Sequence, residues 1–204
     1  LCTEAVGVRS EMFAQAGIGT QNIIGVGVAV SGICDAQEGK VIKSVNLGWE
    51  EVPVADILSR QLELPVFIEN DANACALAEL WLGTAQDAAN SLYLKTEEGA
   101  GAGIISNKAL LSSSRFMSGE IGHVPLIPHG HPCRCGQRGC LEPYVYFGDV
   151  QARYAVRTGQ RIDRDQFVAL VQAKEPQALE LVEETASVLA LACSHWGILL
   201  DLDV

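Results

Sequence analysis

Residues 119–142 read GEIGHVPLIPHGHPCRCGQRGCLE, and this stretch decides how the rest of the chain is understood. Cys133, Cys135 and Cys140 stand close together, with His123, His129 and His131 just upstream. One imidazole and three thiolates complete a tetrahedral set of ligands around zinc and leave no open coordination position. A closed set of this kind is structural and takes no part in bond-breaking. Gly136 and Gly139 supply tight turns that let the sulfurs converge. On spacing alone each of the three histidines competes for the fourth position, and unligated thiols in a loop are the plainer alternative.

The other four cysteines, Cys2, Cys34, Cys75 and Cys193, are isolated among apolar or small neighbours. That scatter does not lace a secreted disulfide framework, so a reducing cytoplasm with one metal cluster is expected. The chain has 204 residues, 49% hydrophobic and 19% charged, which suits a buried core and excludes a disordered tail. Its 14 Lys and Arg against 25 Asp and Glu give a net charge of −11, which repels a phosphate backbone. The longest apolar run, Ile23 to Val30, is broken by glycines and is far short of the roughly 20 residues that span a bilayer. Residues 1–20 lack the basic start and apolar centre of a signal peptide. No membrane partner is expected.

Outward from the cysteine loop, the pattern alternates strands and helices, an α/β class. Residues 4–16 have near-helical spacing and stop at Gly17. Asn22 to Val30 reads as a buried strand, Lys40 to Val45 as a short one, and Asn46 to Trp49 as a loop. Pro53 to Leu62 is an amphipathic helix, Val66 to Ile68 a strand, and Asp71 to Trp81 an Ala/Leu-rich helix. Ser91 to Leu94 and Ala100 to Ile105 read as paired strands around a glycine-rich bend. Beyond Glu142 the chain is mostly helical, over 142–155, 163–173 and 175–199. Ile198 to Val204 reads as the start of a further strand, so the sequence is expected to be a piece of a longer chain.

Gly119-Glu120-Ile121-Gly122-His123, followed by Cys133-Arg134-Cys135-Gly136-Gln137-Arg138-Gly139-Cys140-Leu141-Glu142, resembles the signature of the ROK family of repressors, open reading frames and sugar kinases. Glu69-Asn70-Asp71-Ala72-Asn73 resembles that family's sugar-contacting segment, and the likeness covers nearly the whole chain in order. Its NagC-type transcriptional regulators are the members most similar, the chain here lacking their helix-turn-helix. The resemblance implies an actin-like ATPase (RNase H-like) two-lobed fold with an inserted zinc loop and a sugar in the cleft. It divides the chain into a small lobe at 1–68, a large lobe at 69–189 carrying the sugar site and zinc loop, and a segment 190–204 returning to the small lobe. It assigns sugar contacts to Asn70, Asp71, Glu120, His123 and Glu142, and zinc to His123, Cys133, Cys135 and Cys140. His123 is implied to use one ring nitrogen for the metal and the other for the sugar.

The chemistry of these residues fits that role, because carboxylates and amides match the hydroxyls of a sugar or amino sugar. Asn70 and Asp71 follow directly on a strand, where open α/β sheets bind ligands. Plainer roles compete: Asp71 as a helix N-cap, Glu120 or Glu142 as solvated surface charge, and Trp49 as core. Asn46, Gly48 and Trp49 are candidates for the opposite side of the cleft.

In the family's kinases the aspartate matching Asp71 is the general base, and the ATP phosphates lie in an early Asp-x-Gly-Gly-Thr-like turn, a central Gly-Thr-Gly-x-Gly loop and a late glycine cluster. Only the central loop falls in this sequence, as Thr96-Glu97-Glu98-Gly99-Ala100-Gly101-Ala102-Gly103, with two glutamates in place of the Gly-Thr pair. Each carboxylate opposed to a phosphate charge at about 4–6 Å costs roughly 3–4 kcal/mol at an effective dielectric near 20. The alternative, a hairpin whose glutamates face water, offers no phosphate cradle either. The expectation is therefore a sugar-sensing, dimer-forming body of a transcriptional regulator, a homodimer or higher assembly that meets DNA only through a domain absent from this chain. An ATP-dependent hexose or N-acylaminosugar kinase is the competing reading.

Overall fold

The computed structural model describes residues 2–17, 19–96 and 99–204. Glu97 and Glu98, on which the phosphate-loop argument turns, lie outside the described residues. The chain forms two units, Leu1–Cys75 with Ser112–Met117, and Ala76–Leu111 with Ser118–Val204.

In the first unit, helix α1 (Cys2–Ala16) precedes strands β1 (Val26–Val30), β2 (Ile33–Asp35), β3 (Lys40–Ser44) and β4 (Trp49–Val52). Helix α2 (Val54–Leu62) and strand β5 (Val66–Asn70) follow. β1 runs parallel to β5 from Val26↔Val66 to Val30↔Asn70, while β2, β3 and β4 form an antiparallel sheet in that order. The strand expected from Asn22 begins only at Val26, whose N–H bonds the carbonyl of Pro65. Pro65 has no N–H to extend the ladder, and residues 20–22 turn in a short 3₁₀ segment instead. α2 buries Val54, Leu58 and Leu62, spaced four apart on one face, against Val30, Val41 and Ile68. The loop expected over 46–49 is a tighter hairpin turn, and Trp49 is the first residue of β4, paired with Ser44.

Helix α3 (Asp71–Leu82) begins in the first unit and ends in the second. The second unit continues with β6 (Ser91–Lys95), β7 (Gly101–Ser106) and β8 (Ala109–Leu110) as one antiparallel sheet. The expected pairing around the glycine-rich bend is present, from Ser91↔Ile105 to Lys95↔Gly101. Helices α4 (Glu142–Val145), α5 (Phe147–Thr158), α6 (Arg164–Gln172) and α7 (Pro176–Leu200) complete it. The single helix expected over 142–155 is two, because Tyr146 is extended (φ −68°, ψ 120°) between α4 and α5. α6 is set by an Asp163–Gln166 capping box.

The two units divide inside α3, between Cys75 and Ala76. Residues 190–204 belong to the second unit. The physical reason lies along β6: Asp203 N–H donates to the Asn90 carbonyl at 2.9 Å, and Leu92 N–H to that of Val204 at 3.1 Å. Ile198 to Leu200, read as the start of a strand, are the last turn of α7. Among the described residues no helix is long and apolar enough to cross a membrane.

Candidate metal centre and carboxylate site

The two glycines of the Gly119–His123 segment explain how it carries its side chains. A Cβ on Gly119, at φ +91°, would lie 1.9 Å from the Ala102 carbonyl oxygen, and one on Gly122 would lie 2.1 Å from that of Ala100. The segment therefore lies flush on β7, and Ala102 N–H donates to the Gly119 carbonyl at 2.8 Å. A 3₁₀ turn at Ile121–His123 buries Ile121 in the second-unit core. Glu120 and His123 stay partly exposed, with Glu120 Oε2 4.0 Å from His123 Nε2.

The opposite ring nitrogen faces sulfur. His123 Nδ1 is 3.5 Å from Cys133 Sγ, and Cys135 Sγ is 3.8 Å from Cys140 Sγ. Donor atoms of His123, Cys133 and Cys135 all lie within 4.8 Å of one another. A tetrahedral zinc with bonds of about 2.3 Å to sulfur and about 2.0 Å to nitrogen has sulfur–sulfur and sulfur–nitrogen edges of about 3.8 and about 3.5 Å. His123, Cys133 and Cys135 fit that ion in donor type and are gathered at somewhat wider than its spacing. Cys140, the fourth expected ligand, stands outside this group, 3.8 Å from Cys135 Sγ and donating to the His123 carbonyl at 3.4 Å. Burial, reinforced by the neighbouring thiols, pushes the Cys140 thiol up to about 12, and burial also raises Cys133. At Cys135 burial pulls upward, but the backbone N–H of Gln137 and the adjacent sulfurs outweigh it and lower the thiol. A cation among the sulfurs would reverse the upward shifts, since thiolate is the ligand form.

Of the competing histidines, His131 is turned elsewhere: its Nε2 lies 3.1 Å from Glu184 Oε1, and its ring packs on Tyr144 at 5.0 Å between centroids. Tyr144 Oη in turn accepts the His131 N–H at 3.1 Å. His129 is exposed. Glu184 also meets Arg153 Nη1 at 3.5 Å and Arg157 Nη2 at 3.4 Å, so one carboxylate ties the cysteine loop to α5.

Glu142 is no solvated charge. It is 7% exposed, with Oε1 3.1 Å from Arg134 Nη2 and Oε2 accepting the Ala100 N–H at 3.3 Å. Nearby, burial raises the carboxyl of Asp149, with Arg134 partly offsetting and Glu142 reinforcing the shift.

In the first unit, Asn70 rather than Asp71 caps α3. Its Oδ1 accepts the N–H groups of Ala72 and Asn73 at 2.9 and 3.1 Å, and its Nδ2 donates to the Gly32 carbonyl at 3.0 Å. One Nδ2 hydrogen is left over by this count. Asp71 sits in the first turn, half-buried, its Oδ1 accepting the Ala72 N–H at 2.9 Å. Trp49 packs against the first-unit core, in line with its plainer role, while Asn46 and Gly48 are exposed in the hairpin turn. Sequence reasoning missed Arg134, Tyr144 and Glu184. Only Arg134 carried a signal, a cation placed between two candidate ligands.

Comparison with known proteins matches the ROK family over residues 9–204. The chain belongs to the ROK family. It is 41% identical over 122 residues to a glucokinase of Halalkalibacterium halodurans, covering 59% of this chain and 37% of that protein. It is 38% identical over 125 residues to a xylose repressor of Caldicellulosiruptor bescii, covering 61% of this chain and 31% of the repressor. The chain thus spans about a third of the length of these curated relatives. Among solved structures, the ROK hexokinase of Thermus thermophilus superposes on all of this chain and 67% of its own, with a TM-score of 0.85 at 30% identity. The fold is the mixed α/β, actin-like ATPase type of the ROK sugar kinases, as the sequence led us to expect. ROK relatives of this chain include both glucokinases and xylose repressors.

Proposed function

We propose that this chain is the sugar-sensing and dimer-forming body of a ROK-type transcriptional regulator. One observation carries the reading: the sugar-competent residues are all present, while Glu97 and Glu98 replace the Gly-Thr pair of the phosphate loop. Similarity to xylose repressors supports it. Glu120 and the outward Nε2 of His123 would bond sugar hydroxyls, with Glu142 adding a second fixed carboxylate. A zinc ion held by His123, Cys133, Cys135 and Cys140 would supply a cross-link of the loop and no bond-making chemistry. A sugar that binds one state of the dimer more tightly than the other shifts the balance between them, which is all that sensing requires. Operator DNA would be met through a segment other than these 204 residues, given their net charge of −11.

The second reading, an ATP-dependent hexose or N-acylaminosugar kinase with Asp71 as general base, is favoured by the likeness to a glucokinase and to the ROK hexokinase. Calorimetry of the zinc-loaded full-length protein against hexoses and N-acetylhexosamines tests the sensor, and absence of binding at millimolar sugar removes it. A coupled ADP-release assay separates the two readings. Turnover that is lost in Asp71→Asn establishes the kinase.

A further inference from the structure

Arg134 stands between two thiols, yet its guanidinium reaches away from them. It lies 3.1 Å from Glu142 Oε1 and 4.8 Å from the centroid of the Tyr146 ring, so it is held by both an ion pair and an aromatic face. Glu142 takes its other bond from Ala100, in the glycine bend that joins β6 to β7. A Cβ on residue 99 would lie 3.1 Å from Glu142 Oε2, tighter than the carboxylate tolerates without moving. A side chain at residue 99 would therefore press the carboxylate away by a few tenths of an ångström. A carboxylate buried this far depends on its partners, since losing one leaves charge uncompensated. A carboxylate has about four acceptor sites, and Arg134 and Ala100 occupy one on each oxygen. The remaining sites keep fixed directions only while both anchors hold.

We propose that Arg134 is a positioning residue: through Glu142 it fixes, as one unit, a sugar-binding carboxylate and the glycine bend at residues 99–101. This inference rests on the sugar role proposed for Glu142. The experiment uses the full-length zinc-loaded protein and compares the wild type with Arg134→Ala, Arg134→Lys and Gly99→Ala. Affinity for the sugar bound most tightly in the panel is measured by calorimetry, zinc by elemental analysis, and amide hydrogen exchange over 99–101 by mass spectrometry.

Arg134→Ala is expected to weaken sugar binding by about tenfold, the loss typical of an orienting partner, with one zinc retained. Exchange at 99–101 should speed up in the same variant. Arg134→Lys should restore part of both effects, because it keeps the charge but not the flat stacking surface. Unchanged sugar affinity or unchanged exchange in Arg134→Ala overturns the proposal. Should Arg134→Ala lose zinc, Gly99→Ala decides, since it displaces the carboxylate without touching the cysteine loop. Unchanged affinity in Gly99→Ala is then the refuting result. If the wild type binds no sugar, the sensor reading fails by itself, and the exchange measurement still decides whether Arg134 governs the bend.

Discussion

Replacing Glu184 by Gln tests whether the cysteine loop is latched to the helices behind it. The wild-type carboxylate serves three cationic or potentially cationic groups: His131 at 3.1 Å, Arg153 at 3.5 Å and Arg157 at 3.4 Å. Arg153 depends on it most, because its side chain is only 12% exposed and its Nε and Nη1 have no hydrogen-bond partner among the described residues, so that Nη1 meets Glu184 by charge alone. Burial already disfavours the charged guanidinium there, and Glu184 is the largest offsetting charge. Removing one partner of a fully buried pair costs about 3–5 kcal/mol. With Glu184 28% exposed, the fraction surviving solvent screening is about 2 kcal/mol. Urea unfolding of wild type and Glu184→Gln, followed by circular dichroism at pH 7, measures it. The companion change Arg153→Met should recover more than half of the loss, since it removes the stranded charge and puts an apolar side chain where the guanidinium lies 5.3 Å from the Tyr144 ring centroid. A Glu184→Gln penalty below about 0.5 kcal/mol, typical of a surface substitution, would refute the latch.

Three further outcomes are expected. Cys140→Ala should lower zinc below one per chain and lower the melting temperature, whereas Cys193→Ala, an exposed cysteine apart from the cluster, should change neither. Asn70→Ala should destabilise the protein by about 1–2 kcal/mol in chemical denaturation, because two capping bonds and the link to Gly32 are lost together. Asp203 is held below the usual carboxylate range by the N–H groups of Asn90 and Ala89. Its stabilisation is therefore complete above the ordinary aspartate value and fades as pH falls through the depressed one. The stability gap between wild type and Asp203→Asn should be widest near neutrality and close as pH drops below about 4.

What the sequence discloses here follows from which forces act locally. α2 is legible because Val54, Leu58 and Leu62 repeat at helical spacing, and the β6–β7 hairpin because a glycine bend joins two apolar runs. β2, β4 and β8 are two to four residues long and are held by neighbours rather than by their own patterning. The break at Tyr146 is hidden because Tyr144 to Phe147 continues an apolar run, and only the folded backbone shows the extended residue. At the site, ligand-type side chains in close sequence could be read directly. Competition among His123, His129 and His131 could not be resolved by spacing; contact with Tyr144 and Glu184 turns His131 away. Between adjacent Asn70 and Asp71, either could cap a helix, and the ladder ending at Asn70 places its amide over the α3 N–H groups. Partners such as Arg134 and Ala100 for Glu142 obey no spacing rule at all.

The sharpest measurement is a calorimetric titration of the zinc-loaded full-length protein with Mg–ATP at saturating sugar. Two glutamates beside Gly99 should leave no detectable nucleotide binding at millimolar concentration while the sugar itself binds. Saturable Mg–ATP binding accompanied by sugar-dependent ADP release would contradict the account.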